Sequence, residues 1–452
     1  MPVDTARPQY SSALQWWKRC RDASEGSDAI KEAGEDYLPR LSGQTDKEYQ
    51  SYKDRALWYG FTARTVQALS GAIFRKDPEI AHPESLEPVI KDVTRTGSSL
   101  RMLAKTAVED VILVGRMGLL VERPQAGTAE NRTYLAPYAA ERIINWKTVR
   151  RGGQEILALV VLEELVEEDG ADEFETEEIT RYRVLRLDEE DRYETQIWRE
   201  KGDGHESKLV MTDSFRPIRG GERLDFIPFV FLGTSAVDPE IEKPPLLDLV
   251  DANLSHYRSS ADLENGRHWT GFPSLALFGF DTEEEIKVGS SQALVSSQVG
   301  ADGKFIEFTG QGLGALEKAL QDKEQLMAVL GARMLEEKKS FAEASETHRI
   351  RQSGEISVLQ SISHTLSEGL TKALGWLVWW EGMNEQDVSV ALNSDFLDVA
   401  LTAPEMTALM GLWQSQAISY DTFFFNLKRG EMMPESRTVE EEQQLIGSGA
   451  EL

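Results

Sequence analysis

Two long runs of helical periodicity dominate the pattern of apolar and polar positions. Apolar side chains recur at Leu313, Leu316, Leu320, Met327, Leu330 and Met334, and again at Leu359, Ile362, Leu366, Leu370, Leu374 and Leu377. Steps of three and four, with one of seven, place one apolar stripe on each helix. The segment from Glu336 to Ser345 separates the two. A second helix unbroken from Thr347 to Trp380 would be about 50 Å long at 1.5 Å per residue. That length suits a strut spanning a thick wall better than a compact enzyme.

Residues 1–80 also read as helical. Thr45-Asp46-Lys47-Glu48 has the spacing of a capping box, and the helix it opens is expected to run through Tyr49, Tyr52, Ala56 and Tyr59, with Val66 and Leu69 on a continuation. Leu100 to Leu113 predicts another helix, ended by Gly115 and Gly118, and Leu119-Leu120-Val121 a short buried strand. From Ile156 to Leu232 the period becomes two. Ile156–Leu165, Ile179–Leu187, Tyr193–Trp198 and Phe226–Leu232 are expected as strands of one antiparallel meander. Leu246 to His268 predicts a helix. After it come a strand at Ser274–Phe280, a helix near Thr282–Val288, and strands at Ala293–Ser296 and Phe305–Phe308. A second capping box, Thr402-Ala403-Pro404-Glu405, opens a helix to about Trp413; a short helix follows near Asp421–Lys428, and the acidic tail from Glu435 is expected to be mobile. The fold class is therefore α+β, mainly helical.

Length and charge narrow the possible functions. The 452 residues suffice for two or three domains with a sizeable core. Against 49 basic residues stand 77 acidic ones, a net charge of −28, so a general basic coat for nucleic acid is excluded. Between Glu163 and Glu194 there are 15 acidic and 4 basic residues, which predicts a solvated outer face or, less readily, a cation site. Cys20 is the single cysteine, so a reducing compartment is expected. No basic-then-apolar leader opens the sequence, and the greasy run Trp376-Leu377-Val378-Trp379-Trp380 is far short of the ~20 residues that cross a bilayer. A soluble, intracellular chain without a membrane partner is the expectation.

No catalytic constellation rises from the sequence. Gly310-Gln311-Gly312-Leu313-Gly314 lacks the Lys-Ser/Thr of a P-loop and the spacing of a dinucleotide fingerprint, and reads as a hinge into a helix. The six histidines form no H-E-x-x-H, and none stands beside a cysteine. Gly233-Thr234-Ser235 is no nucleophile elbow. The chain is thus expected to be no enzyme and to need no cofactor, metal or catalytic residue. Arg333, Lys338 and Lys339 do cluster at the break between the long helices. They are expected to be solvated there, or to brush phosphates if that break faces a lumen.

Several collinear stretches resemble the portal proteins of tailed bacteriophages and prophages. They are Tyr37-Leu38-Pro39; Tyr49, Tyr52-Lys53 and Arg55-Ala56; Thr65 with Gly71 to Lys76; Gly115 to Val121; Ile143 to Trp146; His256 to Asp262; and Leu330 to Arg333. The resemblance covers about Tyr37 to Glu442 and implies a ring, usually of twelve subunits, at one capsid vertex. Double-stranded DNA would be packaged and ejected through it. It implies a wing over residues 1–243, a stem helix over 244–268, a clip over 269–312 and a second stem helix over 313–335. A tunnel loop at 336–345, a long wing helix with a return strand over 346–400, and short crown-like helices with an acidic tail over 401–452 would complete it. Arg333, Lys338, Lys339 and Ser340 would then face the channel. Phe278, Phe280, Phe305 and Phe308 would form a docking surface on the clip. The implied partners are other copies of the chain, duplex DNA, a large terminase that supplies the power, a head–tail adaptor, and capsid and scaffold proteins. The implied location is the virion, after assembly in host cytoplasm. Twelve copies would carry roughly −336 of charge, and a repulsive wall favours sliding over sticking.

Two other readings make different demands. An oligomeric adaptor or scaffold would form a particle that threads no DNA. A metal-dependent phosphoesterase would need a compact carboxylate cluster holding a divalent ion.

Overall fold

The computed structural model describes residues 2–124, 132–169, 174–201, 208–271, 274–279, 299–306, 310, 312–335, 357–396, 403–429, 432–433 and 437–449. The fold is α+β and mainly helical. Two compact units divide the chain, residues 1–394 and 395–452.

The larger unit begins with α1 (Pro8–Glu25), α2 (Ser27–Glu32), α3 (Asp46–Arg55), α4 (Phe61–Ile73), α5 (Glu87–Lys91) and α6 (Leu100–Val114). The capping box forms as expected: Glu48 N–H donates to Thr45 Oγ1, and Thr45 N–H donates to Glu48 Oε2 at 2.8 Å. The helix it opens is shorter than its pattern suggests. Ala56 is extended, and the connector to α4 is pinned from outside, Leu57 N–H donating to Ser260 Oγ and Asn253 Nδ2 to the Tyr59 carbonyl. Those side chains lie about 200 residues away, so local periodicity could not register the break. At the end of α6, Gly115 takes the left-handed conformation (φ 82°) that a side chain would strain.

The strands are β1 (Glu79–Ala81), β2 (Arg116–Glu122), β3 (Tyr134–Ala139), β4 (Ile143–Arg151), β5 (Gln154–Asp169), β6 (Thr176–Leu187), β7 (Tyr193–Lys201) and β8 (Lys208–Phe215). The small hairpin β9 (Ile218–Arg219) and β10 (Glu222–Arg223) follows, then β11 (Phe229–Gly233). β4 to β8 form a five-stranded antiparallel meander in sequence order. Phe226–Leu232 does not join it. Residues from Phe229 onward instead pair with β2, in a second sheet ordered β11-β2-β3. Phe229-Val230-Phe231-Leu232 is a continuous apolar run rather than an alternating one, as suits a strand buried on both faces, and it pairs with β2, which is buried from Arg116 to Val121.

The acidic stretch of β5 and β6 is in part exposed, as at Glu167, Glu175, Glu177 and Glu178, and in part ion-paired. Glu164 accepts from Arg181 (2.5 Å) and Arg183 (2.7 Å), Glu163 from Arg142 (2.6 Å), and Glu168 and Asp188 from Arg199 and Arg223. Burial would raise the Glu164 pKa, but Arg183, the Tyr138 hydroxyl and Arg181 hold it below the usual carboxylate value. Among the described residues no group of His, Cys, Asp and Glu could hold a metal ion.

The chain then makes α7 (Leu247–Gly271), β12 (Ser274–Phe278), β13 (Asp302–Ile306), α8 (Leu313–Ala332), α9 (Val358–Trp380) and β14 (Ser389–Ala391). The residues expected as a helix near 282–288 and a strand at 293–296 lie outside the described residues. Ser357 is extended and its Oγ accepts from Gln360 N–H at 3.1 Å, so α9 starts at Val358 and spans about 35 Å rather than 50 Å. Its apolar stripe is nonetheless the spine of the unit: Leu359, Ile362, Leu366, Leu370, Leu374 and Leu377 are all fully buried. α9 packs on α6, β2, β11 and β14. Two guanidiniums cap its last turn, Arg123 donating to the Trp380 carbonyl and Arg219 to that of Trp379, each at 2.7 Å. β14 returns beside it and pairs with β1.

The smaller unit holds α10 (Ala403–Gln414), α11 (Tyr420–Arg429) and α12 (Val439–Gly449). Trp413 stacks on Phe423 with ring centroids 4.8 Å apart, and Phe424 is buried. The tail expected to be mobile is in part α12. Thr438 and Glu441 exchange capping bonds at 3.0 and 3.2 Å, and Arg437 pairs with Glu442 at 2.7 Å.

Candidate functional site

α7 and α8 form an antiparallel hairpin. Lys323 Nζ donates to the Ser255 carbonyl (3.0 Å) and to Ser259 Oγ (2.6 Å); His256 Nε2 stands 3.4 Å from Glu324; Arg267 bridges Glu264 and Glu317 at 2.7 and 3.0 Å. Small residues allow the close approach. A Cβ on Gly266 would sit 2.5 Å from Leu313 Cδ2. Burial lowers the pKa of His256 against the pull of Glu324, and lowers that of Lys323.

The two helices have different surroundings. α7 packs on α1, α3 and α4 as well as on α8. Leu249, Val250, Asn253, His256, Tyr257 and Ser260 are all buried, so its sides are covered by its own chain and no single stripe can show in its sequence. Of the 20 residues of α8 only Met327 is buried; Leu326 (48%) and Val329 (47%) lie open.

The two ends of the hairpin differ in chemistry. At one end β12 and β13 pair as an antiparallel ladder, Leu275 opposite Phe305 and Phe278 opposite Asp302. Phe278 is 55% exposed there, and Trp269, in the last turn of α7, is 58% exposed. Phe280 and Phe308 lie outside the described residues. At the other end Arg333 is exposed and closes α8, its N–H donating to the Val329 carbonyl at 3.0 Å. A cation there complements the helix terminus, which is a sufficient structural reason for it. Lys338, Lys339 and Ser340 lie outside the described residues. Leu359 N–H donates to the Met334 carbonyl at 3.1 Å, so the start of α9 is fastened to the end of α8. Of the expected site residues, the structure thus brings Phe278 and Phe305 to one hairpin and sets Arg333 at the opposite end.

One buried cation escaped sequence reasoning. Arg116, on β2, is 1% exposed, and among the described residues none of its three guanidinium nitrogens meets an acceptor. It lies 4.1 Å from the Trp146 ring and 4.5 Å from that of Phe231, so aromatic faces stand in for hydrogen-bond partners. Burial pushes its pKa down to about 9, opposed by Glu240. Nothing local in Gly115-Arg116-Met117 signals this; a charged residue opening an otherwise apolar run was the available hint. Cys20, also buried, has its thiol pushed up to about 12 by burial. Among the described residues no helix is long and apolar enough to cross a membrane.

The family described as a domain of unknown function, DUF4055, matches residues 245–381, from α7 to the end of α9. No curated protein matches. The chain is similar to solved structures described as the virion of the native gene transfer agent (GTA) particle and the neck of the empty GTA particle computed with C6 symmetry. Each is 13% identical over 90% of this chain and 99% of that one, with a TM-score of 0.36. A third, the neck of the native GTA particle computed with C12 symmetry, is 13% identical over 88% of this chain and 98% of that one, with a TM-score of 0.35.

Proposed function

We propose that this chain is a portal subunit: copies stand side by side in a ring at a capsid vertex, and duplex DNA passes through the hole. One observation carries the reading. The chain runs helix, β-hairpin, antiparallel helix, then through residues 336–356 into the long buried helix α9, whose first turn is fastened to the end of α8. That is the order of stem, clip, returning stem, tunnel loop and wing helix implied by the residues that resemble portal proteins. The half-exposed Leu326 and Val329 on α8 support it, since a neighbouring copy would cover them. No reaction is assigned to the chain; a separate motor would supply the power and dock at the β12–β13 end, where Phe278 and Trp269 stand open. Terminase, adaptor, capsid and scaffold contacts, and the virion location, belong to the same proposal. Negative-stain images of the full-length protein test it. Rings with an axial opening wide enough for duplex DNA are expected; solid particles or closed dimers under all conditions would refute it.

A further inference from the structure

A cleft of about 310 Å³ opens in the larger unit between the start of β5, the segment after β11 and α9. It has this volume with residues 237–240 in place. Ligand pockets run from roughly 300 to 1,000 Å³, so the cleft holds one short molecule and not a folded partner. Phe226 and Trp376, with ring centroids 5.1 Å apart, form an aromatic wall, which Ile156, Leu157 and Pro239 extend. Trp376 stands apart from the stripe of α9: the stripe residues are fully buried, whereas this indole is part-exposed in the cleft. Its ring already takes one ammonium group, Lys372 Nζ lying 5.2 Å from the centroid. An indole face attracts such a cation through its negative π surface.

Charge then selects the occupant. Glu155, Asp238 and Glu240 also line the cleft, and none of the three forms an ion pair among the described residues, unlike Glu163, Glu164 and Glu168. Their segments are held locally: the Thr148 hydroxyl donates to Glu155, and Glu240 N–H donates to Asp238 Oδ1 at 3.0 Å. Lys372 is the one cation in the lining, so three carboxylates leave it at a net −2. Arg116 packs on the Phe231 ring but does not line the cleft. A neutral apolar molecule would cover carboxylates without compensating them. A small inorganic cation would leave the aromatic wall unused. Wall and charge together call for an organic cation with an apolar body and two positive charges.

We propose that this cleft binds an aliphatic diamine or polyamine. Its ammonium groups pair with Glu155, Asp238 and Glu240, and its methylene chain lies on Phe226 and Trp376. Such a ligand would add positive charge to a chain that carries −28.

Isothermal titration calorimetry of the full-length protein at about 150 mM salt tests this, with cadaverine and spermidine as the probes and pentylamine and magnesium as comparators. One site per chain is expected for each probe, with pentylamine at least about fivefold weaker than cadaverine, because it carries a single charge on the same apolar body. Magnesium in equal concentration should not displace cadaverine. The double variant D238N/E240N should weaken cadaverine by about tenfold, and W376L by about fivefold. E177Q/E178Q removes the same charge from exposed positions on β6 that do not line the cleft, and should leave binding unchanged. Absence of cadaverine binding at about 10 mM would overturn the proposal. So would equal weakening by the two double variants, or displacement by magnesium, either of which marks diffuse attraction to an acidic chain. The outcome is independent of whether the chain forms a ring.

Discussion

α8 and α9 are neighbours in sequence with similar apolar spacing, yet their surroundings are opposite. Every stripe residue of α9 is buried against the larger unit's own sheets and helices, whereas on the α8 stripe Met327 and Met334 are buried, Leu313, Leu316, Leu320 and Leu330 only partly, and beside the stripe Leu326 and Val329 stand nearly half exposed. Periodicity records that a face is apolar; it does not record what covers it. In α9 the cover is intramolecular. In α8 the cover from α7 is partial, and the proposed neighbour in a ring would cover Leu326 and Val329.

Truncation should separate the two helices most sharply. Leu370→Ala in α9 removes fully buried volume and should lower unfolding stability by about 2–5 kcal/mol in urea titrations. A loss under 1 kcal/mol would show that α9 is not the spine described.

Next in size is the ion network on β5 and β6. Glu164→Gln strips the partner from Arg181 and from one side of Arg183, at a cost of about 3 kcal/mol. The Glu164 pKa is lowered in the fold, so its contribution is present above the ordinary carboxylate value and is lost as pH falls through the lowered one. Urea midpoints of wild type and variant should therefore converge in acid.

Arg116 provides a smaller effect of opposite sign. A buried guanidinium without acceptors is a cost, so Arg116→Met should stabilise by about 1–3 kcal/mol at pH 7. Its folded pKa, about 9, lies below the unfolded value, so the unfolded chain binds more protons between the two. The penalty is complete below pH 9 and is relieved as pH rises above it, so the advantage of the variant should shrink in alkaline urea titrations. The smallest change is expected from Leu326→Ala with Val329→Ala. Unfolding stability should move by no more than about 0.5 kcal/mol per site, as for surface positions, while self-association measured by sedimentation weakens.

Much of the fold was legible because its signals are local. The capping box at Thr45, the helix at Leu100, the central strands of the meander and the α9 stripe all follow from spacing and caps. What failed depended on distant partners. Asn253 and Ser260 break the helix after Arg55, β2 captures β11, and a single capping serine shortens α9. β3, β4 and β8 went unrecognised: Pro137 stands inside β3, Ile143 and Ile144 sit side by side at the start of β4, and Thr212-Asp213-Ser214 breaks the alternation of β8. The α12 helix hid within a stretch read only as acidic. Of the candidate site, the hairpin and its exposed Phe278 could be anticipated. The burial of Arg116 between aromatic rings could not, since it exists only where β2, β4 and β11 come together.

Native mass spectrometry of the full-length protein is the most direct check on the central claim. One closed multiple of the 50.7 kDa chain, persisting on dilution and falling apart when Leu326 and Val329 are replaced by aspartate, is the predicted result. A lone 50.7 kDa species at every concentration would contradict it.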